Sequence, residues 1–496
     1  MEHANEITEL KQTVTDLSTE VDRLNFLVKK YKMELYGSKS ERFFDDTTQG
    51  VFEGLGLDVT PNQSETTIDI PGHTRKKNGR GKRKPFPDEL PREEVIIDIP
   101  EDEKHCSIHN SPLSPIGYDC VEKLKTTPAQ SVVVIEKRAK YSCPCCEGNI
   151  VQAVSPSVLP KTIATPELLS FIVFSKFFQG LPLYRVEELF KIQKIHLSRM
   201  VMASWLIRLT DQLQPIWNCL EEWAIDSGYM AIDATSIQVL KERGRKPQTK
   251  SSMWVKGSPE LEIVLFEYNI SGGGYVAKSL MSGFEGGLQA DAHKGYGALD
   301  KANLILLGCM MHARRRFFKA WIKAKKKPGL ARDALDMIKR LYSLEEALKK
   351  QELSPEERFR ARLAEVKPQM EKIKDWAVAH KEKVLKSTEL GNGIHYFINE
   401  YEELSAFLKN GRYEIDNGWV ERVIKRYAIG RKAWLFSDTV AGARASALLY
   451  SLVITAKLNG KDPYIVMRDI FQKLPYAKSI EDYENLARLL LRSTSV

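Results

Sequence analysis

Residues 229–240, YMAIDATSIQVL, hold one aspartate, Asp233, inside an otherwise apolar run with the period of a strand. Apolar flanking residues indicate that the carboxylate is buried, and burying a charge costs free energy unless something compensates it. A divalent cation is one such compensation. The run therefore predicts a strand that carries a candidate metal ligand.

Four later runs also have strand periods: SSMWVKG (251–257), ELEIVLFEYN (260–269), GLQADA (287–292) and NLILLGC (303–309). Asp291 stands on the fourth of the five candidate strands, and Glu421 stands on a late helix, DNGWVERVIKRYAIGRKAW (416–434). In a ribonuclease-H-like fold, a mixed sheet presents acids from its first and fourth strands, and a helix after the sheet supplies a third. The order predicts a ribonuclease-H-like mixed α/β catalytic domain over residues 213–440.

Three such carboxylates around Mg²⁺ or Mn²⁺ are what an in-line attack on a phosphodiester needs. The spacing alone also allows non-catalytic interpretations of the same residues. Asp291 could simply cap a helix. Glu421 and Lys425 could form a surface pair worth about 0.3–0.5 kcal/mol. Asp226 and Asp300 are rival acids nearby.

The length and composition of the chain limit the classes of protein to which it can belong. The 496 residues suggest two to four domains, and a hydrophobic content of 43% is enough for real cores. The net charge of +9 favours a polyanionic partner, although a merely basic soluble protein has the same charge. No apolar run reaches the roughly 18 residues of a membrane span, and no signal peptide is visible, so we expect a cytoplasmic protein without a membrane partner.

The N-terminal residues 1–44 carry a heptad pattern from residue 7 to residue 35. Valine and isoleucine dominate position a and leucine dominates position d, which favours a parallel two-stranded coiled coil and hence self-association. A single amphipathic helix is the alternative. Residues 45–100 read as a flexible linker, and a basic run within it is expected to contact DNA phosphates or to be a solvated linker: Arg75, Lys76, Lys77, Arg80, Lys82, Arg83 and Lys84.

Five of the seven cysteines fall between residues 106 and 146. Cys106 and His109 form one close pair, Cys143 and Cys146 form another, and the alternating run SVVVIEKRAKYS (131–142) lies between them. Two such knuckles suit tetrahedral Zn²⁺ in a structural role. The pattern predicts a small zinc-binding module over residues 101–152, with buried free thiols as the alternative.

The hydrophobic pattern of residues 160–212 predicts helices. Thr165 is a candidate N-cap, Gly180 and Pro182 break the pattern, and a second short helix carries Arg199. This arrangement fits a DNA-binding helix-turn-helix, although generic helical hairpins look the same. We also expect a charged helical insertion over about 325–400, ending near Gly391 and Gly393, and C-terminal helices over 441–496.

Basic residues surround the two later acids. Cys309-x₂-His312 opens a basic helix, with Arg314, Arg315 and Arg316 just beyond. Three adjacent arginines span most of a helical turn, so only one or two can contact phosphates. The expected DNA-contacting residues in this half of the chain are His312, Arg314, Arg315, Arg422, Lys425, Arg426, Arg431 and Lys432. A packed cysteine beside a helix-start histidine, with solvated basic faces, is the plainer reading.

The chain resembles the insertion sequence 66 family of DDE transposases in order and nearly end to end. The most specific segments are LQADAHKGYGAL (288–299), GCMMHARRRFF (308–318) and NGWVERVIKRYAIGRKAWLFSDT (417–439), and YKMELYGSKSER (31–42) is similar to a further family signature. The resemblance implies that Asp233, Asp291 and Glu421 form the DDE triad.

The same resemblance implies a nucleoid-associated enzyme of a bacterial mobile element that cleaves and joins double-stranded DNA at element ends and target. It leaves open a need for companion transposition proteins. Two departures stand out: His109 replaces the usual cysteine of the first knuckle, and Asp416-Asn417 replaces the more usual Asn-Asn. A non-catalytic DNA-binding regulator and a plain nuclease are the competing hypotheses.

Overall fold

The computed structural model describes residues 131–135, 156–291 and 303–492, together with the backbone of residues 140–142 and 150–152. All of these belong to one compact unit, Leu124–Val496. The expected coiled coil, the basic linker, Cys106, His109, Cys143 and Cys146 lie outside the described residues. Helices predominate within them, around a mixed sheet.

The main sheet has six strands: β3 Tyr229–Lys241, β4 Lys250–Ser258, β5 Ile263–Asn269, β6 Gly286–Gln289, β7 Leu304–Leu307 and β8 Ser437–Thr439. It is mixed, with the strand order β5-β4-β3-β6-β7 and a short β8 that also pairs with β3. Strand β3 is central. It pairs antiparallel with β4, which pairs antiparallel with β5. On its other side β3 pairs parallel with β6, which pairs parallel with β7. All five strands predicted from the sequence are present.

A separate antiparallel pair consists of β1 (Lys140–Ser142) and β2 (Ile150–Gln152). The predicted strand over residues 131–142 is thus wrong in its first half, because residues 131–135 are not in a strand and Val132–Ile135 are exposed. A strand requires a partner for its backbone groups, and the pairing present here begins at Lys140.

The helices before the sheet are α1 (Pro166–Val173), which continues as a π-helical turn (Phe174–Phe178), α2 (Leu183–Ile192) and α3 (Arg199–Asp226). Thr165 caps α1 as predicted, because its hydroxyl accepts a hydrogen bond from the backbone N–H of Leu168. Gly180 has a φ of 74°, a left-handed conformation that favours glycine, and it separates α1 from α2.

Helix α3 is 28 residues long, so the prediction of two short helices is wrong for the second one. Ser198 caps its N-terminus. Its buried residues from Met202 to Ala224 belong to the same hydrophobic core as the sheet, and packing against the sheet sustains a long helix. The expected domain boundary at residue 212 falls in the middle of this helix.

The helices after the sheet pack on it. Their bounds are α11 Gly418–Trp434, α12 Val440–Leu458, α13 Pro463–Lys473, which continues as a 3₁₀ turn (Leu474–Tyr476), and α14 Ile480–Arg488. Helix α12 is buried nearly all round, as expected for the apolar segment that it contains. The residues after 440 therefore complete the core of the sheet and do not form a unit apart from it.

Helix α12 also covers the outer edge of β5. The Ser451 hydroxyl accepts a hydrogen bond from the backbone N–H of Phe266 at 2.7 Å, and the Thr455 hydroxyl accepts one from Val264 at 3.0 Å. One helical turn and two strand residues span similar distances of roughly 6 Å. Two hydroxyls four residues apart therefore match alternate donors of an edge strand that would otherwise be left unpaired.

A second core lies among the helices between β7 and α11. Their bounds are α5 Met310–Lys323, α6 Leu330–Lys349, α7 Pro355–Ala361 followed by a π-helical turn (Arg362–Val366), α8 Lys367–Lys381, α9 Glu389–Asn399 and α10 Tyr401–Ser405 followed by a 3₁₀ turn (Ala406–Lys409); a short α4 (Gly274–Leu280) follows β5.

Gly391 and Gly393 lie inside α9 and do not end the helical region. A Cβ at Gly393 would stand 3.1 Å from the ring of Phe317, so glycine lets α9 approach α5 closely.

The helices α6 to α10, which include the predicted insertion, are called the helical insertion below. Among the residues that the structure describes, none of the helices is both long and apolar enough to span a membrane.

We predict that Ser451→Ala lowers the free energy of unfolding by about 1–3 kcal/mol, because it leaves the buried N–H groups of Phe266 and the Trp217 indole without an acceptor. Thermal and denaturant unfolding measure this. Ser446→Ala is the matched control, on the same helix and buried, with a hydroxyl that makes no hydrogen bond among the described residues. Equal losses in both variants would contradict the proposed role of Ser451.

Candidate active site

The pairing of β3 with β6 aligns the two aspartates. Tyr229 pairs with Gly287 and Ala231 with Gln289, so each residue of β6 stands 58 positions after its partner on β3. Asp291 likewise stands 58 positions after Asp233. Side chains two residues apart share one face of a sheet. Asp291 lies two residues beyond the end of β6 rather than within it, and the same spacing continued by two residues leads Asp291 towards Asp233. The charge of Asp291 acts on Asp233 accordingly.

Glu421 reaches this face from the first turn of α11, which packs on β3. The start of α11 is fixed by Asn417, which is 1% exposed. The Asn417 side-chain amide donates to the carbonyl of Ile232 at 3.1 Å, and its backbone N–H donates to the sulfur of Cys309 at 3.3 Å. Because Ile232 directly precedes Asp233, this amide joins the glutamate helix to the first aspartate.

His312 lies between two of the acids. Its Nε2 is 3.4 Å from Asp291 Oδ2, and its Nδ1 is 3.9 Å from Glu421 Oε1. An Arg315 guanidinium nitrogen, Nη2, is 3.6 Å from Glu421 Oε2. The end of β6, helix α5 and helix α11 thus meet at one site.

The acids carry negative charge in a poorly solvated place. Burial, with a smaller contribution from the charge of Asp291, raises the pKa of Asp233 from its ordinary 3.8 to about 6. A hydrogen bond from the Ala234 N–H and the charge of Arg315 oppose this rise. Burial also raises the pKa of Glu421, with Arg315 opposing and Asp233 among the contributors. Burial lowers the pKa of His312, so its imidazole is neutral at neutral pH and does not neutralise the acids.

The donor chemistry favours a hard divalent cation. Three carboxylates offer the oxygen ligands that Mg²⁺ and Mn²⁺ prefer. Among the described residues, the group whose ligand atoms lie within 4.8 Å of one another is Cys309, His312 and Glu421. Burial raises the pKa of the Cys309 thiol well above its usual range, and its sulfur already accepts a hydrogen bond from Asn417. A thiol held protonated is a poor metal ligand, so the oxygen set fits better.

A buried hydrogen-bond network joins the elements that carry the acids. The Tyr229 hydroxyl donates to Gln289 Oε1 at 3.5 Å and accepts from the backbone N–H of Glu414 at 3.1 Å. The Gln289 amide donates to the carbonyl of Gly308 at 2.8 Å. These side chains join β3, β6, the start of α5 and the approach to α11, and they fix the elements that carry the three acids.

Comparison with known proteins identifies the family. The sequence model described as "Transposase IS66 family" matches residues 161–445, more than half of the chain. The chain belongs to the IS66 family of transposases. A second model, described as "Transposase C of IS166 homeodomain", matches residues 23–95, which lie outside the described residues.

Relatives of similar length occur in Sinorhizobium fredii (strain NBRC 101917 / NGR234). The uncharacterized protein y4jD is 29% identical over 491 residues, which cover 95% of this chain and 93% of y4jD. The uncharacterized protein y4hP is 28% identical over 483 residues, which cover 91% of this chain and 85% of y4hP. The similarity therefore extends well beyond the acid-bearing region.

The basic residues expected to contact DNA fall into two groups in this transposase. Exposed side chains comprise Arg199, Arg422, Lys425, Arg426 and Lys432. Arg431 instead turns to the sheet, where it donates to the hydroxyl of Thr235 at 3.1 Å and to the carbonyl of Ser236. Arg314 is 2% exposed and lies over the ring of Phe318, so we remove it from the expected set. Its position on the inner face of an amphipathic helix accounts for its burial.

Sequence reasoning missed the residues beneath the site, above all Asn417, Tyr229 and Gln289. In the sequence, Asn417 stands out only as part of a departure from the family pattern. The equal spacing of 58 residues is a signal for the paired aspartates, but it can be used only when the register of β3 and β6 is known. Nothing local marks Tyr229 and Gln289, because their partners are distant in sequence.

We predict that Asp233→Asn makes the metal-free transposase more stable at pH 7.5, by about 1–3 kcal/mol. A carboxyl whose pKa is raised on folding destabilises the folded state once it ionises, so the gain should shrink by more than half at pH 4.5. Thermal unfolding in a chelator measures this.

Adding Mg²⁺ at pH 7.5 should stabilise the wild type and have a much smaller effect on Asp233→Asn. Asp226→Asn is the control, since Asp226 is exposed at the end of α3. A metal-free Asp233→Asn variant less stable than the wild type would contradict the burial cost assigned to this carboxylate.

Proposed function

We propose that the protein is a DDE-type DNA transposase that cleaves phosphodiesters at element ends and joins the freed 3′-hydroxyl to target DNA. The observation that carries this proposal is the meeting of distant acids at one site. His312 lies 3.4 Å from Asp291 and 3.9 Å from Glu421, and Asn417 joins the glutamate helix to the strand of Asp233. Membership of the IS66 family supports DNA as the substrate. The strand order β5-β4-β3-β6-β7 supports the ribonuclease-H-like interpretation of the domain.

Asp233, Asp291 and Glu421 would hold Mg²⁺ or Mn²⁺. The fit rests on the carboxylate donor set and on His312 Nδ1, a buried atom next to Glu421 that makes no hydrogen bond to any of the described residues. When bound, the metal ions supply Lewis-acid stabilisation of charge on the attacking and leaving oxygens of the phosphate. With a pKa of about 6, Asp233 is ionised at neutral pH and available as a ligand.

The remaining residues of the site would position the reacting groups. Arg315 lies beside Glu421 and is only partly buried, so its guanidinium can turn towards a phosphate as well as hold the glutamate. His312 keeps Asp291 and Glu421 at a defined separation. The buried network through Tyr229 and Gln289 limits their movement, which is the contribution expected when catalysis depends on position and charge.

Helix α11 would also hold the DNA backbone. At 100° per residue, Arg422, Lys425, Arg426 and Lys432 fall within an arc of roughly 120° on its exposed face, and Glu421 lies beside that arc. A phosphate backbone following this face would pass next to the acids. Basic side chains at such a surface position the duplex without reading its sequence.

The modules before residue 156 and the helical segment that carries Arg199 complete the proposed transposase. The N-terminal heptads would pair subunits, the basic run from Arg75 to Lys84 would contact phosphates, and Cys106, His109, Cys143 and Cys146 would hold structural Zn²⁺. The segment with Arg199 would contact the terminal repeats as a helix-turn-helix. A chain that pairs two element ends needs both a self-association helix and several DNA-contacting modules, whether or not companion proteins take part.

We predict Mg²⁺-dependent nicking when the purified full chain meets a labelled duplex that ends at the terminus of its mobile element. Asp233→Asn, Asp291→Asn and Glu421→Gln should each lower the nicking rate by at least about 100-fold while leaving duplex binding intact, because each removes a ligand carboxylate. Gel analysis of the labelled strands and a binding titration measure the two quantities.

Asp226→Asn serves as the matched control and should nick at the wild-type rate. Duplex binding with no nicking by the wild type would support the non-catalytic regulator instead. Nicking without joining and without a preference for element ends would support a plain nuclease.

A further inference from the structure

The helical insertion is tied to the segment that leads into α11. Arg362, which is fully buried, donates to the backbone carbonyls of Phe407, Asn410 and Tyr413 at 3.1, 2.9 and 2.8 Å. Glu345 of α6 holds the same guanidinium through two hydrogen bonds of 2.8 and 2.7 Å. One buried ion pair thus fixes the chain between α10 and α11.

A second set of contacts reaches the same segment from α6. Lys349 lies 2.6 Å from Glu414, and Arg358 of α7 bridges Glu345 and Glu414. The Tyr342 hydroxyl, on the same face of α6, donates to Asp416 Oδ2 at 2.7 Å. Residues 342, 345 and 349 follow the i, i+3, i+7 spacing of one helix face, so α6 presents one continuous edge to the residues before α11.

Asp416 passes the contact on to the glutamate helix. Its other oxygen, Oδ1, accepts a hydrogen bond from the backbone N–H of Gly418 at 2.8 Å, at the first residue of α11. A carboxylate at a helix N-terminus accepts a hydrogen bond from a free N–H and interacts favourably with the positive end of the helix dipole. The backbone N–H of Glu421 donates to the carbonyl of Asn417 at 3.1 Å, in the same turn.

We propose that Tyr342 is a positioning residue through which the helical insertion orients Glu421: its hydroxyl holds Asp416, and Asp416 fixes the first turn of α11. This inference rests on the proposed function of the acid site. It gives the insertion a role in building the site, because the contacts of Arg362 and Tyr342 hold the segment that leads into α11.

The test uses Tyr342→Phe in the full chain, which removes one hydroxyl and leaves the ring. The variant should need about tenfold more Mg²⁺ for half-maximal nicking, with unchanged duplex binding and partial rescue by Mn²⁺, because a loosened Glu421 binds metal less well. Tyr427→Phe is the matched control. Tyr427 is buried on α11 itself, and its hydroxyl makes no hydrogen bond among the described residues.

A double-mutant cycle separates positioning from general destabilisation. If Tyr342 acts through Asp416, then Tyr342→Phe should have no further effect on Mg²⁺ dependence in an Asp416→Ala background. Additive effects, or a Tyr342→Phe variant with the metal dependence of the wild type, would overturn the proposal.

A second measurement does not depend on catalysis. Hydrogen exchange in peptides covering residues 414–424 should be about tenfold faster in Tyr342→Phe than in the wild type and unchanged in Tyr427→Phe. Failure of the wild type to nick DNA would count against the proposed function alone. Unchanged exchange in Tyr342→Phe would count against the positioning role alone.

Discussion

The site depends on one buried amide. Asn417 is held between the carbonyl of Ile232 and the sulfur of Cys309, so it joins the strand of the first acid, the start of α5 and the first turn of the glutamate helix. Two buried N–H groups with defined acceptors favour one arrangement, because a shift leaves these donors unpaired. A register of 58 residues between β3 and β6 then sets the second aspartate beside the first.

This arrangement has an electrostatic cost that suits a metal-dependent enzyme. Asp233 and Glu421 are partly desolvated, their pKa values are raised by burial, and His312 is neutral. Among the described residues, the charge of Arg315 opposes both shifts. Stability is given up where charge is concentrated, and a bound divalent cation would recover it. The insertion and the core of α12 supply stability elsewhere, through Arg362 with Glu345 and through helix hydroxyls that satisfy the edge strand.

Much of this could be predicted from the sequence because it depends on local patterns. The five strands, the Thr165 cap, the basic helix after Cys309 and the helix of Glu421 follow from periodicity and capping chemistry, and the family follows from ordered motifs. The full length of α3, the burial of Arg314 and the inward turn of Arg431 depend on tertiary packing, which no local window contains. The contacts of Asn417 and Tyr342 join residues more than 70 positions apart, so a single sequence gives no sign of them.

The most direct test of a metal shared by three distant acids is anomalous scattering from crystals of the full chain grown with Mn²⁺. Manganese density contacted by the carboxylates of Asp233, Asp291 and Glu421 is the predicted result. Manganese bound by Cys309 and His312 with Asp233 uninvolved, or three carboxylates too far apart to share an ion, would contradict it.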